Sequence, residues 1–206
     1  MKIKQGVNRL LSYQVKLLKE ILLQNKKLIA LLQILDDLGI PDCYVAAGCI
    51  NQTVLNYLHG YEIDYGIGDY DVVYYDPDTS YEAEDIIIKR IESKASNLGL
   101  NLDIKNQARV PLWYGKKFGH DIDPYNSVEE AINRWGTTIT CVGVKMHHGK
   151  LDVYAPYGLN DLFSMILRPV KIQFIKKDYD KKTKKWKDKW PLLTVIPWEE
   201  NDEKND

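Results

Sequence analysis

The chain is poor in sulfur and in phenylalanine, and it carries almost no net charge. Its 206 residues include only three cysteines, three methionines and three phenylalanines, and 28 lysines and arginines offset 29 aspartates and glutamates to leave −1. Cys43, Cys49 and Cys141 form no CxxC pair and leave an odd thiol. That spacing argues against a disulfide framework or a cysteine-built zinc site, and it fits a reduced cytoplasm. The balanced charge predicts no strong global attraction to nucleic acid, so any phosphate binding must come from local patches. Long apolar runs are missing too. Beyond Lys2 and Lys4 the leucines are interrupted by Asn8, Arg9, Gln14, Lys16 and Lys19, which predicts neither a signal-peptide core nor a spanning helix and suggests a soluble, cytoplasmic protein with no membrane partner. No repeat or low-complexity linker divides the chain.

What remains is ordinary globular material with an aromatic bias: 45% hydrophobic, 28% charged, fourteen tyrosines and five tryptophans. That composition argues against disorder and is enough for one compact domain. From Asn8 to Asp37, leucines and isoleucines recur at helical spacing, predicting one long helix or two shorter ones that stop at Gly39-Ile40-Pro41. A buried strand follows at Cys43–Ala47, then Gly48 and a helix over Ile50–Leu58. Further strands are expected at Asp69–Tyr75 and Leu100–Ile104, separated by a helix over Glu82–Leu98 that ends at Gly99. Ser127 and Glu130 form a capping-box pattern for a helix reaching about Trp135. A hairpin is expected around His147-His148-Gly149, and a short helix from Gly158 through Leu167. Alternating strands and helices favour an α+β, α/β-like sheet domain. The expected layout is a helical segment over 1–40 packed on a core over 41–198, with an acidic tail over 199–206.

The chemistry concentrates at Gly68-Asp69-Tyr70-Asp71. On a strand, residues i and i+2 share a face, so Asp69 and Asp71 converge. Two carboxylates side by side repel and rarely face inward without a cation, and their hard oxygens suit Mg²⁺ or Mn²⁺. Asp103, between Leu102 and Ile104, offers a third carboxylate from a later strand, so that two ions could be held near a phosphate-bearing substrate. Gly48 stands where a strand gives way to a helix, and there the helix N-terminus can present N–H groups to an anion. Asp76 and Asp78, beside Pro77, read as turn residues.

These residues resemble the DNA polymerase β-like nucleotidyltransferase superfamily, with its strand, glycine helix start, Asp-x-Asp strand and later single acidic residue. Within it the chain is most similar to a little-characterised bacterial family related to the head domain of CCA-adding enzymes. The likeness runs through Ala47-Gly48-Cys49-Ile50, Asp69–Tyr74, Lys105–Tyr114, Ala155–Asp161 and Trp190-Pro191. It implies a polymerase β-type core, with a mixed central sheet flanked by helices. It also implies metal-dependent transfer of a nucleoside monophosphate from an NTP to an acceptor hydroxyl, with release of pyrophosphate. Asp69, Asp71 and Asp103 would then be the catalytic and metal-binding set, and Gly48, Cys49, Asn51, Asn106 and Arg109 would contact the nucleotide. The acceptor stays open among RNA such as tRNA, a protein hydroxyl and a small molecule. A helical tRNA-binding body does not fit in the short remainder of the chain.

Cys49 stands where the superfamily usually has Ser or Gly, and Asn51 and Pro111 stand where the closer family often has Arg and His. Those departures motivate an alternative, a non-catalytic nucleotide- or RNA-binding module. Lys105 has no decided role. Trp113 and Tyr114 are expected to pack in the core rather than stack on a base. His147 and His148, adjacent on a hairpin tip, are not expected to share an ion. The segment Lys176–Trp190 carries the lysines and indoles of a nucleic-acid surface, but Asp178, Asp180 and Asp188 dilute it, and an exposed hairpin with solvated lysines is the expectation.

Overall fold

The computed structural model describes residues 5–199; the acidic tail from 200 onward lies outside that range. The N-terminal leucine pattern resolves into two helices, α1 (Leu11–Leu22) and α2 (Lys26–Leu38). Asn25 breaks between them by accepting the Leu28 N–H as N-cap, at 3.1 Å, while its amide donates to Thr53 Oγ1 at 3.0 Å. Such a cap satisfies a donor that the first turn otherwise leaves free. Gly39 closes α2 in the left-handed region, at φ 62°.

The strands are β1 (Tyr44–Ala46), β2 (Tyr70–Tyr74), β3 (Leu102–Asn106), β4 (Gly143–His147) and β5 (Lys150–Tyr154), in the sheet order β3-β2-β1-β4-β5. Within this sheet β2 and β3 pair in parallel, and the helix that crosses between them is α4 (Tyr81–Ala95). The remaining pairs are antiparallel, which makes the sheet mixed, as expected.

Strand parity divides the side chains between two faces. Val45, Tyr70, Val72, Tyr74, Ile104 and Val144 join the larger core with Leu18, Ile21, Leu22, Leu28, Leu31 and Leu32 of the N-terminal helices. Tyr44, Ala46 and Val73 point the other way and pack with Val128 and Ile132 of α6 (Val128–Asn133). By the same parity and register, Asp71, Asp103 and Lys105 lie on that second face. α3 (Gly48–His59) follows β1 directly, and α5 (Val110–Phe118) follows a 3₁₀ turn after β3.

Two local expectations need correcting. The helix expected to reach Leu167 stops at Phe163, as α7 (Asn160–Phe163). Ile166–Leu167 is instead a strand, β6, paired in parallel with β7 (Thr194–Val195). The lysine-rich segment is not a hairpin but a helix, α8 (Lys176–Lys189). Tyr179, Thr183, Trp186 and Trp190 recur at helical spacing and are all buried, so one face docks while the lysines take the others. Trp190 anchors this docking, because its indole N–H donates to Asn56 Oδ1 at 2.8 Å. The Asn56 amide also donates to the Ile63 and Tyr65 carbonyls, folding back the loop between α3 and β2. Trp190→Ala is expected to cost about 3–5 kcal/mol, the usual range for removing a buried indole, as read from the urea midpoint of unfolding.

Candidate active site

A cavity of about 380 Å³ opens on the second face of the sheet, within the ordinary range for ligand sites. It is lined by Gly48, Asp69, Asp71 and Lys105, by Lys182 and Lys185 of α8, and by the rings of Trp113, Tyr114, Phe118, Tyr125 and Phe174. A cleft of equal volume between the end of α2 and β4 includes neither Asp69 nor Asp71, and Asp103 lines neither space.

Register brings the carboxylates together. Asp71 on β2 lies directly beside Asp103 on β3, and Asp69 just precedes β2. Burial first, then Asp69 and Asp103, push the Asp71 carboxyl up to about 6, while Lys105 and Lys182 pull the other way. Each cause disfavours or favours the charged form in the direction electrostatics requires. The expected three-aspartate cluster is nevertheless not assembled. Among the described residues no three His, Cys, Asp or Glu side chains stand close enough to hold one ion, and Asp103 is ion-paired with Lys105.

Lys182 approaches the carboxylates from the opposite wall. Burial lowers its pKa, and Asp71 is the strongest of the charges that oppose this. Its ammonium lies 5.5 Å from the ring centre of Phe174 and 5.8 Å from that of Trp186, close enough for cation–π attraction. No carboxylate stands within ion-pair distance of it among the described residues. It is a half-buried cation that faces a cavity rather than a partner.

The helix start at α3 differs in detail from the expectation. The positive φ at the junction belongs to Ala47, at φ 52° and ψ −124°, a strained conformation for a residue with a Cβ. Gly48 needs no positive φ. A Cβ there would stand 3.0 Å from Gln52 Nε2 and project beside Asp71, so the glycine keeps the floor of the cavity open. At the start of α3 the Ile50 and Asn51 N–H groups donate to the Ala47 carbonyl, so the positive end of the helix dipole is carried by the N–H groups of Gly48 and Cys49.

Four expected nucleotide contacts fall elsewhere. The Cys49 side chain is fully buried, and its thiol donates to the Ala46 carbonyl at 3.4 Å. Burial raises that thiol well above its usual range. The Asn51 side chain is also buried and donates to the Ile139 carbonyl at 3.0 Å, bracing α3 against the loop before β4. Asn106 has all its hydrogen-bonding capacity committed: its oxygen accepts from Asp76 and Ala108 N–H, and its amide donates to the Asp76 and Asp78 carbonyls. It shapes the turn that Asp76 and Asp78 were expected to form. Arg109 turns toward α4, with Nε 3.0 Å from Glu84 Oε2 and the guanidinium over the Tyr81 ring. Neither Asn106 nor Arg109 lines the cavity.

Other residues take up the space. Gln52 lines the cavity, and its Oε1 is buried with no hydrogen-bond partner among the described residues. Trp113 and Tyr114 are cavity wall as well as packing. The spacing of Tyr179, Thr183, Trp186 and Trp190 carries the helical signal that would have located Lys182 and Lys185 on a strip beside the docked face. No sequence signal points to Gln52.

The model of a family described as nucleotidyltransferase matches residues 33–195. A solved structure, described as an NMR structure that reveals a CCA-adding enzyme head domain, is similar with a TM-score of 0.66 and 25% identity, over 84% of this chain and 90% of the other. No curated protein matches. No described helix is long and apolar enough to cross a membrane.

The electrostatics at Asp71 give a pH-dependent prediction for the metal-free protein. A folded pKa of about 6 against an ordinary value of 3.8 means that the protonated form is favoured on folding. Its stability contribution is therefore full below about pH 4 and lost as pH rises through 6. Asp71→Asn is expected to raise unfolding stability at pH 8 by about 1–3 kcal/mol, with the gain vanishing toward pH 4. Paired urea melts in EDTA at the two pH values measure this.

Proposed function

The chain belongs to a nucleotidyltransferase family, and from that premise we propose that it moves a nucleoside monophosphate from an NTP to an acceptor hydroxyl, releasing pyrophosphate. The observation that carries this reading is the cavity that brings together Asp69, Asp71, the start of α3, Lys182 and an aromatic wall. A binding module without turnover would have no use for like charges crowded beside a half-buried Asp71.

The α3 N-terminus and the open floor at Gly48 suit phosphate oxygens. Lys182 and Lys185 would neutralise the triphosphate and the departing pyrophosphate, so that charge is stabilised where it develops. Asp69 and Asp71 fit a hard divalent cation, since their mutual repulsion is what a cation relieves, and Asp103 is the third donor when its pairing with Lys105 gives way to a ligand. A bound Mg²⁺ or Mn²⁺ would supply Lewis-acid stabilisation and a more acidic acceptor hydroxyl. Cys49, Asn51, Asn106 and Arg109 hold the frame of the site rather than the nucleotide.

With each α-labelled NTP, Mg²⁺ and a cell extract, label is expected to appear on a macromolecule or metabolite whose isolation identifies the acceptor. Asp71→Asn is expected to lower that transfer by about 10²-fold or more, on the scale of losing a principal electrostatic group, and EDTA to abolish it with recovery on adding Mg²⁺ or Mn²⁺. Lys182→Ala is expected to weaken NTP binding about tenfold, the size of one charge-assisted hydrogen bond. Transfer unchanged in Asp71→Asn would rule this chemistry out.

A further inference from the structure

Among the aromatic residues that line the cavity sits a buried polar group that phosphate binding does not explain. Gln173 is 8% exposed, beside Tyr125 at 2% and Tyr114 at 5%, and all three line the cavity. The Tyr125 hydroxyl donates to Gln173 Oε1 at 2.5 Å. His120 Nε2 lies 2.8 Å from the Gln173 carbonyl and anchors the backbone. The next residue, Phe174, packs against Gly136 so tightly that a Cβ there would stand 2.3 Å from its ring. Backbone and side chain of Gln173 are thus both anchored.

A primary amide has two N–H donors and one carbonyl oxygen. Tyr125 occupies the oxygen, which leaves N–H donor capacity in a cavity that Trp113, Phe118 and Phe174 also line, and their rings suit the faces of a base. We infer that Gln173 is a specificity-determining residue, reading the edge of the nucleobase through an amide N–H and favouring an NTP whose base presents an acceptor there. The inference rests on the nucleotidyl-transfer reading and adds to it the feature by which the substrate is sorted. Sites built to hydrogen-bond a substrate group discriminate well, because the wrong ligand leaves a buried polar group unpaired.

Quenching of cavity tryptophan fluorescence, with Trp113, Trp135 and Trp186 in the lining, gives dissociation constants for ATP, CTP, GTP and UTP with Mg²⁺ and needs no acceptor. The native protein is expected to rank the four over about tenfold or more, and Gln173→Leu to compress that range to about threefold. Gln173→Glu replaces the donor with an acceptor, and Tyr125→Phe frees the carbonyl oxygen while preserving shape. Both are expected to shift binding toward ATP and CTP, whose bases carry an amino group at the position where those of GTP and UTP carry a carbonyl oxygen. Tyr125→Phe keeps the test open if changes at Gln173 prevent folding. Four constants that move together, or a ranking unchanged in all three variants, would overturn the inference and leave nucleotide binding standing. Failure of the native protein to bind any NTP would overturn both.

Discussion

Asp71 is a half-buried carboxylate with two others near it, and much of the surrounding architecture follows from that unfavourable charge. The parallel pairing of β2 with β3 fixes Asp71 beside Asp103, and parity forces both onto the face away from the main core. Burial and like charge raise the free energy of the ionised form. Two lysines answer it: Lys105 from β3, two residues beyond Asp103, and Lys182 from α8 across the cavity. Neither neutralises the site completely, and a polyanion with its cations can complete the balance in a way that the protein alone does not.

The large core underneath makes this tension sustainable. α1, α2 and α3 bury leucines and isoleucines against one face of the sheet, and that burial is the dominant stabilising contribution. With one face so covered, the other can carry charge. α8 then closes the cavity, and its position is decided by Trp190 and Asn56, whose hydrogen bond joins the far end of the chain to the helix that begins at Gly48. The side chain that fixes the wall and the backbone that lines the floor thus belong to one connected structure. Part of the aromatic lining is held by the Tyr125–Gln173 hydrogen bond and by Phe174 against Gly136.

Several parts were legible in the sequence for clear physical reasons. The Asn25 break aside, the leucine period, the Gly39 stop, the Ser127 cap and the hairpin at Gly149 are local signals, and the structure follows them. The α8 error arose because lysines hide the period of the four residues that dock. Cys49, Asn51, Asn106 and Arg109 lie off the cavity lining for a common reason. Nearness in sequence to a motif says which element carries a residue but not which way its side chain turns, and all four turn into caps, braces or ion pairs.

From the sequence alone it followed that Asp69 and Asp71 would fall on one side of the chain around β2, that a helix would follow Gly48, and that strands and helices would alternate in an α+β sheet domain. These follow from period, cap and turn chemistry acting over a few residues. Only the tertiary structure decided that Lys182, Gln52 and Gln173 share a cavity with Asp71, that Asp103 pairs with Lys105, and that strain falls on Ala47 rather than on the glycine beside it. The shared cavity depends on contacts between elements more than a hundred residues apart, as between Asn56 and Trp190, and no local pattern encodes it.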